Sequence, residues 1–349
     1  MNKTAVRGLV LAAVASAVLF RAPELRLRPM HHDEANQALK FGALLENGEY
    51  RYDKADHHGP SLYYLSLPVA AAAGRKTLAS LDETVLRLVP AGFGIGVVLL
   101  FLFFAGGMGR SAAAWSALFA AVSPVMVYYS RFYIQEMLLV FFLVGFLALV
   151  GRYMERPRVG RALGAGFFAG MMYATKETSV LLFGAAACAA ALTALSAGRH
   201  AAGGSPKDKP RLWHFAAAAT AALAVAWMFY SSFFANPEGF LDSVLSFKVY
   251  FERAGEAGWH TQPWHYYLSL LAFSKAGGGP VWSEALILVL AAAGSIFLFR
   301  KRLGYGRSPG FMRFVFFYAV VSAAVFSLIP YKTPWNLLPF YAGFLLLAG

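Results

Sequence analysis

The chain has 349 residues, of which 58% are hydrophobic and only 14% charged, and its mean hydropathy is +0.53. Long runs nearly free of charge are the signature of a polytopic membrane protein, because each spanning helix needs about 20 apolar residues. The net charge of +13 lies in short connectors between apolar runs, which indicates membrane topology and excludes nucleic acid as the partner. The single cysteine, Cys188, excludes a disulfide framework.

The apolar runs predict an all-α fold with about ten transmembrane helices. The first run is predicted to be an uncleaved span rather than a signal peptide, because the cleavage-like triplet Ala15-Ser16-Ala17 lies within it. The predicted spans lie near residues 5–22, 85–105, 112–130, 137–153, 161–174, 178–197, 214–234, 281–299, 311–329 and 335–349.

The run 61–73 is too short to cross a membrane, since a helix of this length covers about 20 Å of a core about 30 Å thick. We therefore predict an interfacial helix there. The positive-inside rule supports this topology, because the arginine-rich connectors, such as residues 152–161 and 199–211, then share the N-terminal side with Lys3 and Arg7.

With this topology, every motif-like polar segment falls on the opposite, external side. These segments are residues 29–60, 130–136, 175–177, 235–280 and 331–336. We predict one transmembrane domain, 1–349, with a first external loop at 21–84 that contains the interfacial helix and a second at 235–280. The last span reaches Gly349 without a polar tail, so we expect the chain to continue beyond it.

Adjacent acids follow the first span in the motif "HHDEA". Asp33 and Glu34 are candidate catalytic carboxylates, because a partly desolvated carboxylate near a membrane surface can act as a general base. A hydrated loop acid is the alternative. His31 and His32, with Glu34, are candidate ligands for a divalent metal such as zinc or manganese.

Two further polar segments lie at span ends. Arg131 and Glu136 bracket the turn after the third span, where ionisable residues act as interfacial anchors or as site residues. Lys176, beside Glu177, either pairs with a nearby carboxylate or contacts a phosphate. Lys332, between helix-breaking prolines, is a second candidate for phosphate contact.

Aromatic and histidine side chains in the two external loops are candidates for contact with substrate. In the first loop the candidates are His57 and His58, which precede the interfacial helix 61–73, and Tyr63 within that helix. Trp259 and His260 lie in the second loop, where an interfacial amphipathic helix explains them equally well.

These motifs together resemble the GT-C superfamily of integral-membrane glycosyltransferases. The segments "HHDEA", "HGPSLYYL" and "SPVMVYYSRFYIQEMLLVFF" resemble the branch of dolichyl-phosphate-mannose protein mannosyltransferases and lipid A aminoarabinose transferases. The segments "HHDEANQ", "DHHGPSLYY", "YATKET" and "YKTPWN" are similar to a prokaryotic family associated with lipid-linked oligosaccharide flipping in archaeal N-glycosylation.

The resemblance implies roles for particular residues. It gives Asp33 the role of the base that activates the acceptor, and Glu34 that of its orienting neighbour or a metal ligand. It places Arg131 and Glu136 in the donor site, although Glu136 stands where many relatives have Asp. The phosphate contacts of Lys176 and Lys332 are a physical inference, independent of the resemblance.

The expected function is transfer of a sugar from a polyprenyl-phosphate-linked donor to a lipid, glycan or protein acceptor, by an inverting displacement. A phosphate leaving group stabilised by cations needs one carboxylate base, in contrast to the two carboxylates of glycoside hydrolases. A flippase component or a non-catalytic scaffold for lipid-linked glycans is the alternative. We expect the chain to lie in the plasma (inner) membrane with a cytoplasmic N-terminus and an external active site.

Overall fold

Helices make up almost all of the regular structure. A computed structural model describes residues 1–54, 58–196, 210–254, 260–275, 277–300 and 308–349. The helices in these residues are α1 (Lys3–Arg21), α2 (His32–Asn47), α3 (Ser61–Ala72), α4 (Glu83–Phe101), α5 (Ala105–Met108), α6 (Arg110–Val122), α7 (Pro124–Ser130), α8 (Glu136–Glu155), α9 (Val159–Tyr173), α10 (Ser179–Ser196), α11 (Leu212–Tyr230), α12 (Gly239–Ala254), α13 (Tyr266–Ala272), α14 (Ala285–Phe299), α15 (Pro309–Leu328) and α16 (Leu338–Ala348). Strands β1 (Ser274–Lys275) and β2 (Val281–Trp282) form one short antiparallel hairpin.

The all-α polytopic membrane fold predicted from the sequence is confirmed. A helix lies at each of the ten predicted span positions, and the predicted short helix is present as α3. Among the described residues, six helices are long and apolar enough to cross a membrane, and the bent pair α6–α7 makes a seventh. Helix α14 and the segment Pro334–Ala348 are apolar but shorter.

The two segments predicted as external loops contain helices of their own. The first includes α2, an amphipathic helix of 16 residues that carries the acidic pair. The second includes α12 and α13. Hydropathy does not predict α2, because its buried residues lie on one face of the helix, among polar residues, and do not form an uninterrupted apolar run.

Close helix packing depends on small residues. Helix α8 lies at the centre of the bundle against α4, α9 and α16. Helices α9 and α11 approach most closely at Gly166 and Gly170, where an added Cβ would lie 2.1 Å from the carbonyl oxygen of Ala218 and 2.6 Å from that of Ala222. This small-xxx-small spacing is how membrane helices bring their backbones into contact.

The third predicted span is broken. Helices α6 and α7 meet at Ser123-Pro124 with a bend of 61°. Proline cannot donate the hydrogen bond that would continue α6, so the carbonyls at the end of α6 and the N–H groups at the start of α7 need other partners.

Two buried charges of opposite sign supply these partners. Arg21 donates from its two terminal nitrogens to carbonyl oxygens in the last turn of α6, both at 2.8 Å. Glu284 accepts from the backbone N–H of Val125 at 3.0 Å and from the hydroxyl of Ser123 at 2.7 Å. A cation at a helix C-terminus and an anion at a helix N-terminus are what the helix dipole favours. The bend is thus fixed from both sides.

Glu284→Ala is expected to destabilise the bundle. The substitution leaves the N–H of Val125 and the hydroxyls of Ser123 and Tyr341 without their acceptor. Each buried donor left unsatisfied costs about 1–3 kcal/mol. The midpoint of thermal unfolding in detergent should therefore fall. It should fall less for Glu284→Gln, because the glutamine side chain keeps one acceptor oxygen. Glu49→Ala, which removes a surface ion pair, serves as the control; equal midpoints for Glu284→Ala and this control would contradict the role of Glu284.

Candidate functional site

The five polar segments all contribute side chains to one cavity of about 410 Å³, which we call the polar cavity. Its polar lining comes from Asp33, Asn36, Gln37, Lys40, His58, Gln135, Glu136, Lys176, Glu177, Thr178, His260, Tyr331, Thr333 and Asn336. Residues separated by up to 300 positions therefore meet at one end of the helix bundle.

Asp33 lies in the first turn of α2, where the helix cap orients it. The imidazole of His31 accepts the N–H of Asp33 at 3.2 Å, and the carboxylate of Glu34 accepts the N–H of His31 at 3.0 Å. The carboxylate of Asp33 remains 36% exposed. The next turns of α2 place Asn36, Gln37 and Lys40 on the same side of the helix, so α2 presents a polar stripe to the cavity.

Glu34 is fully buried and does not line the cavity. Its two oxygens accept from Arg87 at 2.8 and 2.9 Å, from Arg28 at 2.6 Å, and from the backbone N–H groups of His31 and Tyr133. Burial opposes the charged form, but these donors outweigh it and hold the pKa of Glu34 below its ordinary value. Glu34 thus fixes α2, while Asp33 faces the cavity.

His58 pairs with Glu177 across the cavity wall. The imidazole Nδ1 of His58 lies 2.9 Å from a carboxylate oxygen of Glu177. Burial raises the pKa of Glu177, but His58 and Lys176 outweigh this effect and the net pKa is lowered. Gly59 allows this approach, because a Cβ there would lie 2.2 Å from the carbonyl oxygen of Ala174.

Lys176 is buried at the side of the cavity between two acceptors. Its ammonium donates to the carboxylate of Glu136 and, at 3.2 Å, to the side-chain oxygen of Asn336. Burial disfavours the charged ammonium, but the carboxylates of Glu136 and Glu177 outweigh it and raise the pKa of Lys176. These two hydrogen bonds use two of the three N–H groups of the ammonium.

Two predicted donor-site cations do not line the cavity. The guanidinium of Arg131 donates to the backbone carbonyls of Phe20 and Glu24 at 3.0 and 2.8 Å. The ammonium of Lys332 donates to the carbonyls of Gln262 and Ile329. Both cations therefore bind backbone carbonyls at helix ends or in the adjoining loops.

The remaining predicted residues differ in their placement. Tyr63 is fully buried behind the cavity wall, with its hydroxyl 2.5 Å from the side-chain oxygen of Gln37. His260 lines the cavity with its ring against Tyr331. His57 and Trp259 lie outside the described residues.

The predicted metal ligands do not form a metal centre. Both oxygens of Glu34 are occupied, and Nδ1 of His31 accepts the N–H of Asp33, while His32 is exposed. Within the described segments, no group of three or more His, Cys, Asp or Glu side chains is arranged to hold a metal ion.

Three important residues carried little or no signal in the sequence. Arg87 lies in the apolar span of α4, and its partner Glu34 is 53 positions away. Gln135 and Asn336 are uncharged, and the motifs that contain them were interpreted through their charged residues, Glu136 and Lys332. Gln37, in contrast, stands four residues after Asp33, so the helical spacing of the α2 stripe was a signal that could have revealed it.

The opposite end of the bundle is basic. A second concavity there is lined by Arg158, Arg161 and Arg211, together with His214. It lies at the C-terminal end of α8, whereas the polar cavity lies at the N-terminal end of that helix. The molecule thus has a polar, mixed-charge end and a cationic end.

The comparisons with known proteins agree with this architecture. Residues 70–202 match the family model described as dolichyl-phosphate-mannose-protein mannosyltransferase. No curated protein has a significant sequence match. Among solved structures, ArnT from Cupriavidus metallidurans bound to undecaprenyl phosphate is similar with a TM-score of 0.72 at 17% identity, over 98% of this chain and 59% of that one.

Archaeal oligosaccharyltransferases share the fold. AglB from Archaeoglobus fulgidus, in complex with an inhibitory peptide and a dolichol-phosphate, has a TM-score of 0.61 at 15% identity, over 98% of this chain and 50% of that one. An Archaeoglobus fulgidus oligosaccharyltransferase in complex with Zn and sulfate has a TM-score of 0.57 at 14% identity, over 97% and 48%. The chain therefore spans about three fifths of the ArnT structure and half of these oligosaccharyltransferases.

The class of protein follows from these similarities. The chain is a multi-pass membrane protein with the fold of the GT-C superfamily of membrane glycosyltransferases. The fold that the resemblance implied is thereby confirmed, and residues 70–202 match one family model of that superfamily. The narrower resemblance to the prokaryotic family of archaeal N-glycosylation stays a prediction.

Proposed function

We propose that the polar cavity binds a sugar linked to a polyprenyl phosphate and that the chain transfers this sugar to an acceptor hydroxyl or amine. The observation that carries the proposal is the position of Asp33, a partly exposed carboxylate on the wall of the cavity that the buried pair of Lys176 and Glu136 also lines. The polyprenyl phosphates bound to ArnT and AglB support this class of donor.

The chemistry needs one base and a stabilised leaving group. The acceptor oxygen or nitrogen attacks the anomeric carbon of the sugar, and Asp33 takes the acceptor proton. The bond between the anomeric carbon and the phosphate oxygen breaks, and the phosphate leaves with the electron pair. A cation near the leaving oxygen stabilises the charge that develops there. Configuration at the anomeric carbon is inverted, because one displacement occurs.

Lys176 is the cation best placed for the donor phosphate. It lines the cavity, and its third N–H is available beyond the bonds to Glu136 and Asn336. The raised pKa keeps it protonated through the physiological range. Lys40 also lines the cavity and brings a second cationic side chain to it. Lys332, in contrast, is assigned a structural role, because two backbone carbonyls bind its ammonium.

The charge distribution supports an external active site. The end opposite the polar cavity carries the arginines at 152–161 and Arg211, and cytoplasmic loops are enriched in Lys and Arg. The N-terminus of α1, with Lys3 and Arg7, would then be cytoplasmic. The acceptor would be a lipid, glycan or protein that reaches the external face of the plasma (inner) membrane.

The proposal is tested by a transfer assay with the full chain in membranes. Polyprenyl phosphates that carry different radiolabelled sugars are supplied, and label is followed into lipid, glycan and protein fractions. Label transfer above that of membranes without the chain is expected for at least one donor. Absence of transfer with every donor, together with altered translocation of lipid-linked glycans, would favour a flippase component. Absence of both activities would favour a scaffold.

A further inference from the structure

Three buried polar atoms in the polar cavity have no hydrogen-bond partner among the described residues. They are Oε1 of Gln135, Oε2 of Glu136 and Oγ1 of Thr333. Their residues are 0%, 3% and 6% exposed. Most buried polar atoms in folded proteins are hydrogen-bonded, and an unsatisfied one is costly. Such atoms on the wall of a cavity are free to accept hydrogen bonds from whatever fills it, water or a bound ligand.

These atoms belong to one connected corner of the cavity. Lys176 joins its two sides, because it donates both to Glu136 and to Asn336. Asn336 and Thr333 lie in one helical turn, linked by a backbone hydrogen bond of 3.2 Å. Gln135 immediately precedes Glu136. The corner is thus formed by the start of α8 and the turn before α16.

The hydrogen-bonding network fixes the chemical character of the corner. The side-chain nitrogen of Gln135 donates to the side-chain oxygen of Gln37 at 2.8 Å, and that oxygen also accepts from Tyr63. The amide of Gln135 therefore has its oxygen left to accept. The second oxygen of Glu136 also only accepts, and the hydroxyl of Thr333 can accept or donate. A ligand with several hydrogen-bond donors would therefore suit the corner best.

We propose that this corner is the glycosyl subsite, which binds the hydroxyl or amino groups of the donor sugar. The inference rests on the proposed function and deepens it. A phosphate gains no hydrogen bond from Gln135 or Glu136, because its oxygens only accept. Lys176, whose ammonium neutralises Glu136, is the cation of the corner that can donate to it. Sugar hydroxyls and amines are donors. With the phosphate at the third N–H of Lys176, the attached sugar lies beside Glu136.

Two substitutions test the subsite by binding, without requiring activity. Thr333→Val removes one hydroxyl from a side chain of the same shape. Glu136→Gln keeps one acceptor oxygen and places a donor, the amide nitrogen, where an acceptor stood. Ser116→Ala is the matched control, because the Ser116 hydroxyl is also buried with no partner in the part of the chain that the structure describes, but does not line the cavity.

The probes are undecaprenyl phosphate and undecaprenyl phosphate carrying mannose, glucose or aminoarabinose, each titrated against the purified full chain. For the glycosylated lipid that the wild type binds most tightly, we expect Kd to rise about 3- to 10-fold in Thr333→Val and about 10- to 100-fold in Glu136→Gln. Bare undecaprenyl phosphate should bind Thr333→Val as tightly as the wild type. It should bind Glu136→Gln more tightly than the wild type, because Lys176 loses its counter-charge.

The outcomes separate the subsite from the proposed function. Equal weakening of glycosylated and bare lipid would overturn the subsite, since it is what a structural role predicts. No weakening, or a wild type that prefers no glycosylated lipid over the bare one, would also overturn it. If the wild type binds no polyprenyl phosphate at all, the proposed function itself fails, and the subsite with it.

Discussion

Replacing Asp33 with Asn is expected to lower the rate of sugar transfer by about 10²–10⁴-fold, the usual contribution of a general base. Asn cannot take the acceptor proton, but it has the same shape and also suits the first turn of a helix. The cap uses the backbone N–H of Asp33, and α2 is anchored by Glu34, so neither depends on the Asp33 carboxylate. That carboxylate has the imidazole of His31 as a neighbour, with Nδ1 at 3.5 Å. The loss should therefore be confined to the chemical step.

The measurement is the initial rate of transfer, together with binding of undecaprenyl phosphate to the same preparation. Binding by Asp33→Asn should match that of the wild type. Glu24→Gln, an exposed acid in the same external segment that does not line the polar cavity, is the control and should transfer normally. Transfer by Asp33→Asn at the wild-type rate would sink the assignment of Asp33 as the base.

Glu34→Ala is expected to produce the largest loss of stability. Glu34 is fully buried, and its removal leaves the guanidinium of Arg87, only 1% exposed, without its counter-charge. Breaking a buried ion pair by deleting one partner costs about 3–5 kcal/mol. We expect poor expression in membranes, or a strongly lowered midpoint of thermal unfolding in detergent. Glu34→Gln, which keeps acceptor and shape, should be intermediate.

A double variant distinguishes the effect of leaving one charge unpaired from the effect of losing the volume of the side chains. Glu34→Leu combined with Arg87→Met replaces both members of the fully buried pair by apolar groups, so that no uncompensated Arg87 charge is left in the core. Arg28 and the N–H groups of His31 and Tyr133 still lose their acceptor, as they do in Glu34→Ala. We expect the double variant to be more stable than Glu34→Ala, despite its two changes. If Glu34→Ala unfolds at the wild-type midpoint, the pair does not fix α2.

The stability that Glu34 contributes is expected to be lost at acidic pH. The pKa of Glu34 in the folded chain lies below its ordinary value of 4.5, so the ion pair stabilises the fold fully above that value. This stabilisation should disappear as the pH falls through the lowered folded pKa. Glu34→Gln should lack this part of the acid sensitivity, which a series of unfolding midpoints between neutral and acidic pH would measure.

Helix α2 shows how two neighbouring residues acquire different roles. In the sequence, Asp33 and Glu34 are two acids in one motif, and either could serve as the base. A helix turns by about 100° per residue, so adjacent side chains point in different directions. Here one rotation places Glu34 among Arg28 and Arg87 and leaves Asp33 on the cavity wall. That choice depends on where α2 packs.

Tertiary packing also decides which of the predicted cations face the cavity. These cations are Arg131, Lys176 and Lys332. All three stand beside prolines or at span ends, so local pattern treats them alike. Whether each binds backbone carbonyls or faces the cavity depends on segments that lie elsewhere in the chain, such as residues 20–24 for Arg131 and Gln262 for Lys332.

The sequence alone determined the membrane class, the all-α fold and the position of all ten apolar helices. It could do so because the bilayer requires each span to satisfy its own backbone, and this requirement is met by consecutive residues. Three features depended on the tertiary structure. The first is the bend fixed by Arg21 and Glu284, and the second is the burial of Glu34 against Arg87. The third is the group of unpartnered polar atoms in the corner of the cavity that contains Lys176. These features arise from pairs 40 to 160 positions apart, and nothing in the neighbouring residues specifies such pairs.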